Sequence, residues 1–170
     1  EKIHGHSISL NGIHEEDLVK IGTLQTNNAG IAVVRQKEDA DQQELEATLK
    51  EDYVLALSDV RDPGNFGTII RIADWFGVNH IVASENTTDF YNPKTIAASM
   101  GSFTRVSVTY SPLDSFLKDA RKAGVPIMGA DLDGKTIHEG GLPKHGILLM
   151  GSESHGIDTE LLPHRSEEHT

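Results

Sequence analysis

Runs of consecutive apolar residues recur along the second two-thirds of the chain, separated by polar turns and amphipathic stretches. Each run is short, rich in β-branched residues and bounded by turn-forming residues, which is typical of a β-strand. The runs are continuously apolar and do not alternate with polar residues, so they indicate a sheet that is buried on both faces. The predicted strands are "YVLALSD" (53–59), "HIVAS" (80–84), "TRVSVTY" (104–110), "VPIMGAD" (125–131) and "GILLMG" (146–151).

Helical periodicity separates these strands. Helices are predicted at "TIIRIADWFG" (68–77), "NPKTIAASMG" (92–101) and "SPLDSFLKDARKAG" (111–124). The alternation of strands and helices predicts an α/β fold with a mostly parallel sheet flanked by helices. In the first helix the pattern leaves Trp75 exposed, and in the second an amphipathic arrangement would bury one side. The predicted buried positions are Ile69, Ile72, Ala73 and Phe76 in the first helix, and Ile96, Ala97 and Met100 in the second.

The first third of the chain has a different character. A helix is predicted within 8–24, where an acidic start and a glycine near the end bracket spaced apolar residues, and "GIAVVRQ" (30–36) is predicted to be a strand. The highly charged segment "KEDADQQELEATLKED" is typical of a solvated linker with some helix. We therefore expect three parts: residues 1–37, a linker over 38–52, and a main domain over 53–170.

Composition restricts the chemistry. The 170 residues include no cysteine, which excludes disulfides and thiolate chemistry, and the net charge is −11. A nucleic-acid partner would therefore need a local basic patch, for which Arg61, Arg71, Lys94 and Arg105 are the best members. No metal site is expected, because "HGH" at 4–6 lacks a third ligand at a telling spacing. No stretch has the length of a membrane span. The absence of cysteine makes a cytoplasmic protein the default expectation.

The loop "RDPGNFGT" (61–68) follows the first predicted strand, and ligands of parallel sheets bind beyond the carboxyl ends of strands. Its two glycines allow close approach of a ligand, and Thr68 is the predicted N-cap of the next helix. The dinucleotide and P-loop signatures are both absent. Arg71 would then lie in the first helical turn, where a cation is unfavourable. Two interpretations of Arg71 remain: it forms an ion pair with Asp74, or it binds a phosphate or a developing oxyanion.

A second loop with the same layout follows the last predicted strand. In "LLMGSESHGI", Gly151 and Gly156 bracket a polar stretch that contains Glu153 and His155, and a helix is predicted at "DTELL" (158–162). An ordinary turn explains this loop equally well when it is taken alone. Two glycine-bracketed loops at two strand ends, one with an arginine and one with a carboxylate, favour a crevice between them.

Three stretches resemble a known family. "LALSDVRDPGNFGTIIRIADWFGV" and "ILLMGSESHGI" resemble motifs 1 and 2 of the SpoU/TrmH family of RNA ribose 2′-O-methyltransferases, of the SPOUT (α/β-knot) superfamily, and "KTIAASMGSFTRV" resembles the segment between them. The resemblance covers roughly residues 53–162. Residues 8–35 resemble the tail of the small RNA-recognition domain that often precedes this fold.

The resemblance implies an α/β-knot fold, a homodimer, and methyl transfer from S-adenosylmethionine to a ribose 2′-hydroxyl of RNA, with ribosomal RNA expected before transfer RNA. Matching the motifs position by position assigns roles to particular residues. The implied catalytic residues are Asn65, Arg71 and Glu153; the implied cofactor-binding residues are Gly129, Ala130, Leu149, Gly151 and Ile157; the implied RNA-binding residues are Arg61, Lys94, Ser99, Gly101 and Arg105.

The chain also departs from the family pattern. Motif 3, a glycine followed by a helix rich in Ser, Leu and Asn, has no counterpart, and we expect a methyltransferase domain that is incomplete at its C-terminal end. A non-catalytic RNA-binding relative, such as a ribosome-assembly factor, is therefore an alternative, as is another nucleotide-dependent α/β enzyme. Arginine stays protonated at neutral pH and is a poor base. Arg71 is better suited to holding phosphate or the alkoxide, and Glu153 either takes the proton or fixes Arg71.

Overall fold

The computed structural model describes residues 2–3, 6–7, 9–22, 26, 29–36, 42–130 and 142–166. The chain divides into two compact units, Glu1–Lys37 and Glu38–Thr170. No helix in these described ranges combines the length and the apolar character that crossing a membrane requires.

The first unit contains two short strands, β1 (Lys2–Ile3) and β2 (His6–Ser7), which pair antiparallel, and helix α1 (Glu15–Ile21). The predicted strand over 30–36 is wrong. Its described residues form no ladder with any strand of the described chain, and the side chains of Val33 and Val34 are 96% and 76% exposed. A β-branched run becomes a strand only where a neighbouring strand and a packing face receive it.

The second unit is built on a five-stranded, fully parallel sheet. All five strands predicted for it form, with somewhat shorter bounds. They are β3 (Tyr53–Leu57), β4 (His80–Ala83), β5 (Ser107–Tyr110), β6 (Ile127–Gly129) and β7 (Gly146–Met150). Their order across the sheet is β5-β4-β3-β7-β6.

In the described part of this unit, the sheet is accompanied by the α-helices α2 (Gln42–Glu51), α3 (Pro63–Trp75), α4 (Pro93–Ser99) and α5 (Leu113–Lys122). Helix α2 lies within the segment predicted as a linker, and it packs Leu45 and Leu49 against the core. The helix predicted over 158–162 is wrong: turns lead into a short 3₁₀ helix, Leu162–His164.

Both faces of the sheet are buried, as the continuous apolar runs predict. Along β3, Val54 and Ala56 join one hydrophobic cluster, which includes residues of α2 and α5. Leu55 and Leu57 join a second cluster, which includes residues of α3. Successive strand residues point to opposite faces, so a strand between two helical layers must be apolar at every position.

The buried side of α3 differs from the predicted one. Phe66, Gly67, Ile70 and Ala73 face the core, whereas Ile72 is 51% and Phe76 is 76% exposed. Trp75 is 84% exposed, which confirms the prediction for that residue. The prediction is confirmed for Ala73, and Ile69 is partly buried and packs against the core, whereas the prediction is wrong for Ile72 and Phe76. The predicted helix began too late to include Phe66, which lies at the centre of the buried face.

The buried side of α4 was also predicted wrongly. Thr95 and Ser99 are completely buried, while Met100 is 73% exposed. The cause lies in α3: a Cβ at Gly67 would overlap the carbonyl oxygen of Thr95 and the Cβ of Ala98. Gly67 thus lets the two helices approach so closely that small polar residues fill the interface better than large apolar ones.

Candidate active site

The two loops singled out from the sequence meet at the centre of the sheet. Strand β3 pairs with β7 so that Leu57 lies opposite Met150, and the Ser58 N–H donates a 2.8 Å hydrogen bond to the Met150 carbonyl. From β3 the chain moves outward to β4 and β5, then crosses to β6 at the other edge and returns through β7. Strands β3 and β7 therefore flank the topological switch point, where a crevice opens in sheets of this type.

Helix α3 presents Asn65 from its first turn. Asp62 is the N-cap, and its Oδ1 accepts a 2.8 Å hydrogen bond from the Asn65 N–H, while Pro63 opens the helix. The predicted N-cap, Thr68, is wrong, because its hydroxyl lies inside the helix and donates to the Gly64 carbonyl. The Asp-Pro start was available in the sequence, since proline is favoured in the first turn behind an aspartate cap.

Asn65 meets Glu153 across the crevice. The Asn65 Nδ2 donates a 2.8 Å hydrogen bond to the Glu153 Oε2. Both residues are exposed, so a substrate can reach them. The structure thus joins one predicted catalytic residue from each loop, which confirms that the two loops form one crevice.

A tight turn holds Glu153 in place. Ser152 and Gly156 pair as an isolated antiparallel bridge, with N–H to carbonyl distances of 3.0 and 2.9 Å. A Cβ at Gly151 would overlap the backbone of Gly156, so only glycine fits there, and Gly156 itself has φ +69°. Ser152 through Gly156 therefore form a closed turn with Glu153 near its tip.

Arg71 does not join the pair. Because α3 begins at Pro63, Arg71 lies in the third turn, about 9 Å along the helix axis from Asn65. The prediction of a cation in the first turn is wrong, as is the pairing with Asp74. Arg71 is exposed and makes no hydrogen bond or ion pair with the part of the chain that the structure describes.

Asp74 instead binds Arg105. The guanidinium contacts the carboxylate at 2.6 to 3.1 Å, and the Ser102 hydroxyl adds a 2.7 Å bond. These hydrogen bonds, that of Arg105 foremost, lower the pKa of Asp74 to about 2. The cluster ties the end of α3 to the 3₁₀ helix Ser102–Thr104.

Two other predicted RNA-binding cations are paired as well. Arg61 contacts Asp59 at 2.9 Å, and Lys94 contacts Asp62 at 3.0 Å. The pKa of Asp62 is lowered, mainly by the hydrogen bond from the Asn65 backbone and then by that from Lys94. In each ion pair, a carboxylate lies beside the cation and would compete with an RNA phosphate for it.

The remaining two predicted RNA contacts differ in access. Ser99 is fully buried and its hydroxyl donates to the Ile96 carbonyl at 2.7 Å, so it has no surface to offer to RNA. Gly101 is partly exposed and follows Met100; the two have φ values of +90° and +51°. The sequence pattern gave no sign of the burial of Ser99, which depends on the close contact between α3 and α4.

The predicted cofactor residues lie together at the β6–β7 side. Gly129 pairs with Leu149, and the Ala130 N–H donates a 2.9 Å hydrogen bond to the Leu149 carbonyl. A Cβ on Gly129 would touch the side chains of Ile157 and Arg165. Asp131, the last residue of the predicted strand over 125–131, lies outside the described residues.

The sequence interpretation missed a cavity beside the pair. Its volume is about 580 Å³, and it lies at the carboxyl ends of β3 and β4, against the start of α5 and the segment after β7. The signal was present: polar Ser58 and Asp59 end an otherwise apolar run. Its lining includes Ser58, Asp59, Arg61, Ser84, Asn86, Asp114, His155, Ile157, Asp158 and Glu160.

Comparison with known proteins gives consistent matches. The model of the SpoU rRNA Methylase family matches residues 52–168. The 23S rRNA (guanosine(2553)-2′-O)-methyltransferase RlmP of Bacillus subtilis is 34% identical over 110 residues, covering 64% of this chain and 44% of the relative. The 23S rRNA (uridine(2479)-2′-O)-methyltransferase of Streptomyces viridochromogenes is 31% identical over 117 residues, covering 64% and 41%. The chain spans less than half the length of these curated relatives.

Solved structures match the same region. A TrmH-family RNA methyltransferase structure from Porphyromonas gingivalis superposes with a TM-score of 0.66 at 40% identity, covering 68% of this chain and 48% of the other. The AdoMet-bound rRNA methyltransferase from Sinorhizobium meliloti superposes with a TM-score of 0.61 at 35% identity, covering 67% and 44%. The α/β fold predicted from the sequence is therefore confirmed as the SPOUT type.

Proposed function

This chain belongs to the SpoU rRNA methylase family, and we propose that it transfers a methyl group from S-adenosylmethionine to a ribose 2′-hydroxyl of RNA, ribosomal RNA in preference to transfer RNA. The observation that carries the proposal is the 2.8 Å contact between Asn65 and Glu153 at the switch point of the sheet. The relatives named as 23S rRNA 2′-O-methyltransferases support the substrate, and the AdoMet-bound neighbour supports the cofactor.

The residues proposed to bind S-adenosylmethionine lie close enough together to form one binding site. Gly129 and Ala130 neighbour Leu149, and Gly151 follows at the end of the same strand, so backbone groups and an apolar strip lie side by side. The side chain of Arg165 lies against Gly129, and this long, flexible group must move to admit a ligand. S-adenosylmethionine would supply an electrophilic methyl group there.

Glu153 is the proposed acceptor of the proton that the 2′-hydroxyl loses. Its Oε2 accepts from Asn65, which fixes the orientation of the carboxylate and leaves Oε1 available to the hydroxyl. A positioned carboxylate accelerates such a transfer as a general base. Much of the remaining rate comes from holding the hydroxyl in line with the methyl group, which the closed turn around Glu153 favours.

Arg71 is proposed to hold an RNA phosphate. Its exposed guanidinium has no partner in the described chain, and an arginine forms bidentate hydrogen bonds with phosphate. Because it lies about 9 Å along α3 from Asn65, we assign it to a neighbouring phosphate of the substrate and not to the reacting oxygen.

Arg61, Lys94, Arg105 and the adjacent Gly101 remain proposed RNA contacts. The three cationic side chains are 73%, 62% and 59% exposed despite their ion pairs. A phosphate that approaches must compete with the paired carboxylate, so each contributes less than a free cation would. This arrangement is consistent with a net charge of −11, which limits non-specific attraction to RNA.

A homodimer is proposed on the exposed face of α3. Ile72, Trp75 and Phe76 recur at helical spacing on its surface, all more than half exposed, and Met100 follows the neighbouring helix. Contiguous exposed apolar side chains usually mark an interface.

Two further expectations from the sequence remain proposals. The first is the organisation into residues 1–37, 38–52 and 53–170, in which residues 1–37 contribute to RNA recognition. The second is a cytoplasmic location, where ribosomal RNA is encountered.

The chemistry of the product tests the proposed function. The chain is incubated with ribosomal RNA and methyl-labelled S-adenosylmethionine, and the RNA is then hydrolysed in alkali. A 2′-O-methyl group blocks cleavage of the adjacent phosphodiester, so the label should appear in alkali-resistant dinucleotides. Label in mononucleotides would indicate base methylation instead. RNA binding without any transfer of label would favour the non-catalytic alternative.

A further inference from the structure

We propose that the cavity at the ends of β3 and β4 binds the base of the nucleotide to be methylated, and that it selects guanine. The inference rests on the proposed function, because it takes the ribose to react at Asn65 and Glu153. The cavity has a volume of about 580 Å³, enough for an unstacked base. Enzymes that act on a nucleotide often hold its base in such a pocket beside the reacting atoms.

The cavity adjoins the catalytic pair. The turn that carries Glu153 also supplies Ser152, His155 and Gly156 to the cavity wall. On the other side, the backbone that supplies Ser58, Asp59 and Arg61 leads directly into the first turn of α3 with Asn65. A nucleotide whose 2′-hydroxyl contacts the pair therefore has its base within reach of the cavity.

The charge of the lining excludes phosphate as the occupant. Four carboxylates, those of Asp59, Asp114, Asp158 and Glu160, stand against the single guanidinium of Arg61, a formal charge of −3. That guanidinium is already bound to Asp59 at 2.9 Å. Carboxylates accept hydrogen bonds and repel anions, so the ligand must offer N–H or O–H donors and carry no negative charge within the cavity.

Ser58 marks the cavity as a polar binding site. The residue is only 4% exposed, and its hydroxyl makes no hydrogen bond to the described part of the chain. No side-chain polar atom among those described residues is both sealed from solvent and unpaired, so the hydroxyl must open onto the cavity that Ser58 lines. A polar ligand in the cavity can therefore hydrogen-bond to this hydroxyl in place of water.

Asp59 supplies the matching carboxylate at the same strand end. Its backbone adopts φ +60°, and its N–H donates a 2.9 Å hydrogen bond to the Ser84 hydroxyl, which fixes the residue at the cavity wall. Its Oδ1 holds Arg61. Asn86 lines the cavity with an exposed side chain that can both donate and accept.

Guanine fits this lining better than the other bases, because adenine and cytosine each present one amino donor beside a ring nitrogen that accepts, and that nitrogen would face a carboxylate. The Watson–Crick edge of guanine presents two adjacent donors, N1–H and the N2 amino group, next to the O6 acceptor. A carboxylate accepts from both donors, and a hydroxyl or amide satisfies O6. Uracil offers a single donor between two carbonyl oxygens, which would face the carboxylates of the cavity.

Calorimetric titration of the full chain with guanosine, uridine and guanosine 5′-monophosphate tests the inference. Guanosine should bind more tightly than either of the others, because uridine lacks the donor pair and the monophosphate brings an anion to an acidic cavity. Ser58→Ala should weaken guanosine binding about fivefold, the worth of one hydrogen bond. Ser115→Ala, on the surface of α5 and outside the cavity lining, should leave the affinity unchanged.

A second variant guards against a folding defect in the first. Asparagine tolerates the left-handed backbone of position 59, so Asp59→Asn should fold while losing the preference for guanosine over uridine. The inference is overturned if guanosine does not bind, if the monophosphate binds more tightly than guanosine, or if both variants bind as the unaltered chain does.

Methyl transfer to RNA is measured on the same preparations. Guanosine binding that depends on Ser58 without methyl transfer would refute the proposed function alone, whereas methyl transfer without that dependence would refute the cavity assignment alone.

Discussion

The Asn65 side-chain amide donates a 2.8 Å hydrogen bond to the Glu153 carboxylate, although 88 positions separate the two residues in the chain. Parallel pairing of β3 with β7 accounts for this contact, since it brings the carboxyl ends of two strands distant in sequence to adjacent places. The contact joins the two loops into one site.

Replacing Glu153 with Gln should abolish most of the methyl transfer. An amide keeps the shape of the side chain but cannot accept the proton, and loss of a general base lowers rates by about 10² to 10⁴-fold. Initial rates with methyl-labelled S-adenosylmethionine measure the effect. Glu51→Gln, at the exposed end of α2, is the matched control and should retain full activity. An active Glu153→Gln variant would remove Glu153 from the chemistry.

Replacing Arg71 with Gln should weaken RNA binding without destabilising the fold. The residue is exposed and unpaired in the described chain, so its loss removes a phosphate contact and nothing structural. Binding titrations at several salt concentrations should show a slope of log K against log [salt] that is smaller in magnitude by about one. In contrast, Arg105→Gln should lower the melting temperature, because it breaks the clamp on Asp74. Equal slopes for Arg71→Gln and the unaltered chain would refute the phosphate contact.

The Asp74–Arg105 contact should make stability depend on pH in the acid range. Because the pKa of Asp74 is about 2 in the folded chain and near 3.9 in an unfolded one, its contribution is complete above about pH 4 to 5 and disappears as the pH falls towards 2. Asp74→Asn removes this dependence. Melting temperatures of the two proteins should differ most near neutral pH and converge near pH 2. A gap that stays constant over this range would contradict the assignment.

Replacing Gly151 with Ala should destabilise the second unit. The added Cβ would overlap the Gly156 backbone, so the turn that holds Glu153 must open. Such overpacking costs about 1 to 3 kcal/mol or more. Urea unfolding measures the loss, and Gly12→Ala, where the new methyl group meets nothing within 4 Å, is the control. Unchanged stability in Gly151→Ala would mean that the turn adapts freely.

The proposed homodimer depends on the exposed face of α3. Trp75→Glu should shift the chain to a monomer, because the side chain is 84% exposed and lies beside Phe76 on that face. Sedimentation velocity compares the variant with the unaltered chain. Leu142→Glu, at an exposed apolar residue outside α3, should leave the assembly unchanged. A monomer before any substitution would refute the proposal.

The strands and the two site loops could be predicted because their signals are local. Continuous apolar runs mark β3 and β7, and polar residues follow each run. The start of α3 could not be predicted because Asp62–Pro63 and Thr68 both satisfy the local rules for a helix start. The helix in the structure begins at Pro63, behind the Asp62 cap. The buried face of α4 depends on its contact with Gly67, which no pattern within α4 encodes.

The cavity lay beyond the reach of sequence patterns for a related reason. It is lined by the ends of two strands, the start of a helix and the segment after β7, and only the strand order brings them together. Ser58 and Asp59 could be recognised as polar residues at a strand end, but their common cavity with His155 could not.

A double-mutant cycle on the catalytic pair tests the central claim most directly. Single-turnover rates of methyl transfer to the 2′-hydroxyl of ribosomal RNA are measured for the unaltered chain, Asn65→Ala, Glu153→Gln and the double variant. If the two side chains act as one unit, each single variant should lose most of the rate and the double variant little more than the worse of them. Losses that multiply, or a single variant with an unchanged rate, would contradict a shared role for Asn65 and Glu153.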